Sequence, residues 1–85
     1  MYYIYAMSSK SRNYIYVGLT KDCEARIKRH NGGREKTTKP YRPFELIFLE
    51  NIDASLEEAR RREKYWKSGV GKDRLRYLRD NSDTH

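Results

Sequence analysis

The chain has 85 residues, 36% of them hydrophobic, 36% charged and 13% aromatic. That supplies one modest core, leaves no material for a second unit, and is too aromatic for a disordered chain. Nineteen Lys and Arg against twelve Asp and Glu leave a net charge of +7 and a pI near 9.7, which points to an anionic partner, nucleic acid first. No stretch approaches the ~20 apolar residues of a membrane span, and the single Cys23 builds neither a disulfide framework nor a cysteine-based zinc site. Strand-like sequence directly after Met1 predicts that no leader is present, so a cytoplasmic location is expected.

Residues 2–7 alternate as a strand, with Tyr3, Tyr5 and Met7 on one side and Tyr2, Ile4 and Ala6 on the other. The polar run Ser8 to Asn13 is the expected turn. Residues 14–19 form the second strand, Tyr14, Tyr16 and Gly18 facing one way and Ile15, Val17 and Leu19 the other. A helix over about 21–31 follows, capped by Thr20 or Asp22 and stopped by Gly32 and Gly33. A basic loop runs to Pro40 and Pro43, and the nearly continuous apolar run Phe44 to Leu49 fits a buried strand. Ser55 and Glu58 have capping-box spacing for a helix to about Lys67. Gly69 and Gly71 are expected to break it before a last helix over about 72–80, with Leu75 and Leu78 turned inward. The predicted order is β-β-α-β-α-α in one domain over 1–81, with 82–85 a disordered tail.

Between Arg26 and Arg42 lie seven cations, Arg26, Lys28, Arg29, Arg34, Lys36, Lys39 and Arg42, against the single acid Glu35. Long cations partly on a loop can track a phosphate backbone without reading sequence; the competing reading is a solvated face. Arg26 and His30, at i and i+4, share a helix face at the rim of the Cys23 and Ile27 stripe. An arginine there can hold a phosphate and a histidine can relay a proton, or they are a surface cation and a helix-end residue. Leu56, Ala59, Glu63 and Trp66 fall on one helix face, so the Glu63 carboxylate sits in an apolar stripe and needs a partner. That partner is either a divalent metal or Lys67 at i+4. Tyr5 and Tyr16 can act as bases in such a site only if cations or a metal lower their phenol pKa values, a field Arg26, His30 and the basic patch can supply; strand packing alone also explains tyrosines.

Tyr3-Ile4-Tyr5, then Tyr16-Val17-Gly18, then the run from Gly18 to His30 in one order resemble the GIY-YIG nuclease superfamily. The likeness is to its small single-domain bacterial members, related to the nuclease domain of the UvrC excision-repair subunit, and spans roughly Tyr2 to Asn81. Tyr3 stands where the first motif usually has its glycine. The resemblance implies an α/β sandwich of the α+β kind, a small three-stranded antiparallel sheet flanked by helices. It further implies a metal-dependent endonuclease acting on DNA in repair or recombination, with one Mg²⁺ or Mn²⁺. Tyr5 and Tyr16 would line the site, Arg26 would stabilise the phosphate, His30 would assist, Glu63 would bind the metal, and Asn81 would complete the set. No further DNA-binding region is present among the 85 residues, so a targeting protein partner is expected. The alternatives are a non-catalytic nucleic-acid-binding module of the same fold and a protein-interaction domain of a repair complex.

Overall fold

The computed structural model describes residues 1–81; the tail expected over 82–85 lies outside the described residues. Strands β1 (Tyr2–Ser9) and β2 (Ile15–Thr20) precede helix α1 (Cys23–Asn31). A short 3-10 turn at Lys39–Tyr41 leads to strand β3 (Phe44–Ile52), and helices α2 (Leu56–Lys67) and α3 (Gly69–Asn81) follow. The order is therefore β-β-α-β-α-α. The three strands form one antiparallel sheet with β1 in the centre, β2 on one side and β3 on the other. This is an α+β fold. Among the described residues no helix is long and apolar enough to cross a membrane.

Because β1 is hydrogen-bonded along both edges and covered on both faces, every residue from Ile4 to Ser9 is buried. Strand alternation sorts these side chains into two clusters. Ile4, Ala6, Ile15 and Val17 meet Ala59 and Trp66 of α2 and Leu75 of α3. On the opposite face Tyr5, Met7 and Phe44 meet Tyr16 together with Cys23 and Ile27 of α1. The sheet is thus sandwiched between α1 and the α2–α3 pair. The second face, with its tyrosines, carries the candidate site.

Several elements differ from the sequence expectation, each for a local reason. Ser8 and Ser9 continue β1 instead of opening the turn, since they pair with Ile15, Glu45 and Phe44. Strand β3 runs on to Ile52 and is an edge strand, so Leu46 and Leu49 are exposed where an all-buried strand was expected. Its register shifts between the partners of Ala6 and Met7, which pair with Phe48 and Leu46, leaving Ile47 as the extra residue of a β-bulge. The bulge turns Phe48 and Glu50 toward α2, where Glu50 accepts from Arg62 and from the Trp66 indole N–H at 3.1 Å.

The two glycines expected to break the chain lie inside α3, and the interruption falls at Ser68. Gly71 is buried, and a Cβ there would stand 2.3 Å from the Tyr65 carbonyl oxygen. Its role is close helix approach, not helix breaking. Leu75 is fully buried as expected, but Leu78, in the last turn of α3, is 40% exposed. Asp22, rather than Thr20, caps α1 by accepting from the Ala25 N–H at 3.1 Å. Ser55 caps α2 by accepting from the Glu58 N–H at 3.2 Å, while the Glu58 carboxylate turns to Arg61.

Candidate active site

The site begins with a cross-strand pair. Tyr5 lies opposite Gly18 in the β1–β2 register, and a Cβ on Gly18 would come within 2.4 Å of the Tyr5 hydroxyl oxygen. The phenol therefore lies across the one position of β2 that has no side chain, a close approach only glycine permits. It ends with its hydroxyl 3.0 Å from His30 Nε2. The Tyr16 ring packs beside both, its centroid 4.9 Å from that of His30 and 6.2 Å from that of Tyr5.

His30 was expected at the rim of α1, and the structure buries it to 2% exposure. The reason is spacing: Cys23, Ile27 and His30 stand four and three residues apart, one inward stripe on a helix. The other imidazole nitrogen, Nδ1, lies 2.8 Å from Thr38 Oγ1, a hydroxyl with no exposure at all. Burial holds the His30 pKa below its usual value, with Arg26 and Arg29 adding to the effect and Glu35 opposing it, so the ring is neutral near pH 7. Burial also pushes the Tyr5 phenol well above its ordinary range, reinforced by Tyr16 and opposed by Arg26. Tyr5 is 1% exposed and protonated. Tyr16 is only half-buried, so of the two tyrosines it is the one open to solvent.

Arg26 stands four residues before His30 on α1, and its positive charge opposes the upward shift of the Tyr5 phenol. Glu35 faces Arg26 at 3.9 Å and accepts from Arg29 at 2.9 and 3.2 Å. The Arg29 guanidinium holds the Glu35 carboxyl below its usual range. The lone acid of the basic segment thus sits among its cations. Lys28, Arg34, Lys36, Lys39 and Arg42 remain at least partly exposed around it, Arg42 lying over Gly33, whose φ of +75° turns the chain out of α1. The loop bearing Thr38 is pinned at its far end, where Tyr41 stacks on Tyr14 at 3.9 Å and the Asn31 side chain accepts from the Phe44 N–H at 2.7 Å.

Glu63 is on α2, its side chain 16% exposed and ion-paired with Lys67 Nζ at 3.2 Å and with Arg60 at 3.9 Å. Both ion pairs stay on its own helix. Among the described residues no group of three or more His, Cys, Asp or Glu side chains converges. Asn81 ends α3, exposed, its amide donating to the Tyr77 carbonyl at 2.8 Å. The structure therefore brings Tyr5, Tyr16, Arg26 and His30 together, and places Glu63 and Asn81 on other elements. Sequence reasoning missed Thr38 and the Glu35 contact, which depend on how the loop folds back. It also missed the burial of His30, which the 23-27-30 spacing carried.

Residues 1–76 match the family whose description is the GIY-YIG catalytic domain. The chain is 33% identical over 84 residues to the UPF0213 protein YazA of Bacillus subtilis, covering 98% of this chain and 83% of that protein. It is 29% identical over 82 residues to the human structure-specific endonuclease subunit SLX1, covering 92% of this chain and 30% of that protein. The solution NMR structure of the UPF0213 protein BH0048 from Bacillus halodurans aligns with a TM-score of 0.54 and 34% identity, over 92% of this chain and 85% of that one.

Proposed function

The chain belongs to the GIY-YIG catalytic-domain family, and on that premise we propose that it is a nuclease-type domain that hydrolyses phosphodiester bonds in DNA. The observation that carries the proposal is the Tyr5–His30–Tyr16 cluster with Arg26 beside it, opening toward a rim of exposed cations. Lys28, Arg34, Lys36, Lys39 and Arg42 would hold the backbone on either side, and Arg26 would bind the reacting phosphate as charge develops on it. Tyr16 is the tyrosine an attacking water can reach. Tyr5, buried and protonated, supports the site from behind.

Glu63 is the residue proposed to hold one Mg²⁺ or Mn²⁺. Such an ion binds through one or two carboxylates with water and substrate phosphate completing the shell, and the mostly buried Glu63 carboxylate would exchange Lys67 and Arg60 for it. When bound, the metal supplies Lewis-acid stabilisation of the leaving oxygen. Asn81 is the proposed C-terminal member of the site. The human relative is by name a subunit, and a partner protein would likewise supply target choice here. The pairing of Glu63 with Lys67 and Arg60 favours a second reading, a non-catalytic DNA-binding module.

One experiment separates the two. Mg²⁺ and Mn²⁺ are titrated into the protein with amide shifts followed by NMR, while cleavage of labelled branched, flapped and duplex DNA is assayed. We expect shifts centred on Glu63, no cleavage by Glu63→Gln, and a loss of about 10²- to 10³-fold in Arg26→Ala. Unchanged cleavage in either variant refutes the proposal. Salt-sensitive DNA binding with neither metal response nor cleavage assigns the module instead.

A further inference from the structure

We infer that Thr38 is a positioning residue: it decides which nitrogen of His30 carries the proton, and through that ring the direction of the hydrogen bond between His30 and Tyr5. The effect on turnover rests on the nuclease reading; the tautomer itself does not.

Tyr5, His30 and Thr38 are all withdrawn from solvent, so each of their polar hydrogens needs an acceptor within the protein. The Thr38 hydroxyl donates to the Glu35 carbonyl oxygen at 3.5 Å. Its oxygen is then free to accept from His30 Nδ1–H at 2.8 Å. That leaves Nε2 as a bare lone pair, which accepts the Tyr5 hydroxyl hydrogen at 3.0 Å. The Tyr5 hydroxyl hydrogen is thereby placed on a buried acceptor. Every hydrogen in the chain of contacts has a partner, and no buried side-chain polar atom among the described residues lacks one.

The opposite tautomer fails this count. With the proton on Nε2, the Tyr5 oxygen would receive from His30, and its own hydrogen would point at no acceptor among the described residues. Thr38 is the side chain hydrogen-bonded to His30 Nδ1 and so the group that selects the first arrangement, and it reaches Nδ1 because Tyr14 and Asn31 pin the loop that carries it.

The test reads the imidazole nitrogens of His30 directly by long-range ¹H–¹⁵N correlation in the whole chain at neutral pH. The wild-type protein and Thr38→Ser are expected to show Nδ1 protonated and Nε2 bare. Thr38→Val, equal in shape but without the hydroxyl, is expected to show the other tautomer or a mixture. Its kcat for DNA cleavage is expected to fall about tenfold or more with a smaller change in KM, and Thr38→Ser to restore it. An Nε2-protonated ring in the wild-type protein overturns the inference, as does Thr38→Val with an unaltered tautomer. Should Thr38→Val not fold, the wild-type and Thr38→Ser spectra decide the matter. Absence of cleavage by every form, with the tautomers as expected, removes the nuclease reading and leaves the positioning role standing.

Discussion

Tyr5 shows why a side chain cannot be assigned a role from its chemistry alone. A phenol near cations reads as a candidate base, yet burial raises its pKa and withdraws its oxygen from water. What the strand pair supplies is a flat glycine floor beneath it. Gly18→Ala places a methyl group 2.4 Å from the Tyr5 hydroxyl, and the forced shift should destabilise the protein by about 1–3 kcal/mol in urea unfolding. His30 sets a pH dependence whose sign follows from its lowered pKa. Above about pH 7.5, well clear of the ordinary histidine value of about 6.5, both folded and unfolded chains carry a neutral ring and its contribution is whole. As pH falls through the unfolded value the unfolded chain takes up a proton that the buried ring resists, so stability is lost toward its depressed folded pKa. The urea midpoint should therefore drop between about pH 7.5 and about pH 5.5, and a His30→Gln variant should flatten that drop.

At the scale of elements, the deciding contacts are those between pieces distant in sequence. α3 packs on α2 with Gly71 against the Tyr65 carbonyl and Trp66 backbone. Ala is worth about 1 kcal/mol more than Gly in an open helix, but a Cβ 2.3 Å from a carbonyl oxygen must part the two helices. Gly71→Ala should lower stability by about 1–3 kcal/mol despite its better propensity, with the Trp66 fluorescence reporting the altered packing. The loop between α1 and β3 carries the other contact. Glu35 neutralises Arg29 and opposes Arg26, a carboxylate standing where a phosphate oxygen could. Glu35→Gln should tighten DNA binding and steepen the dependence of log K on log salt by about one unit for each further phosphate neutralised, as read by fluorescence anisotropy across a salt series.

For the whole molecule, a sheet covered on both faces separates two tasks. The α2–α3 face holds the larger apolar core that stabilises the fold, and the α1 face keeps its tyrosines, His30 and Arg26 under a cationic loop. A substitution in the first should move stability without moving the site. Leu75→Ala, at a fully buried position away from the tyrosine cluster, should cost about 2–5 kcal/mol. The His30 ring resonances of the folded protein should meanwhile remain at their wild-type positions.

Order and kind of element were legible in the residues, because strand alternation, cap residues and helical spacing are local and the core follows them: Asp22 and Ser55 cap where they stand, and Ile4, Ala59 and Leu75 point inward. The tyrosines, arginine and histidine that the structure brings together as a candidate site were legible too, as a pattern of types in order. What only the tertiary structure decided is which of them meet and how wet they are. Tyr5 and His30 are 25 residues apart and His30 and Thr38 eight, and their hydrogen bonds exist only after β1 takes the centre of the sheet and the loop folds back over α1. Burial, and with it the protonation state of both rings, belongs to that arrangement and to no residue alone. The same holds for Leu46, Leu49 and Leu78, apolar by sequence and exposed by position. Local patterning chooses an element's inward face, and the finite width of a three-stranded sheet sets how much of that face is covered.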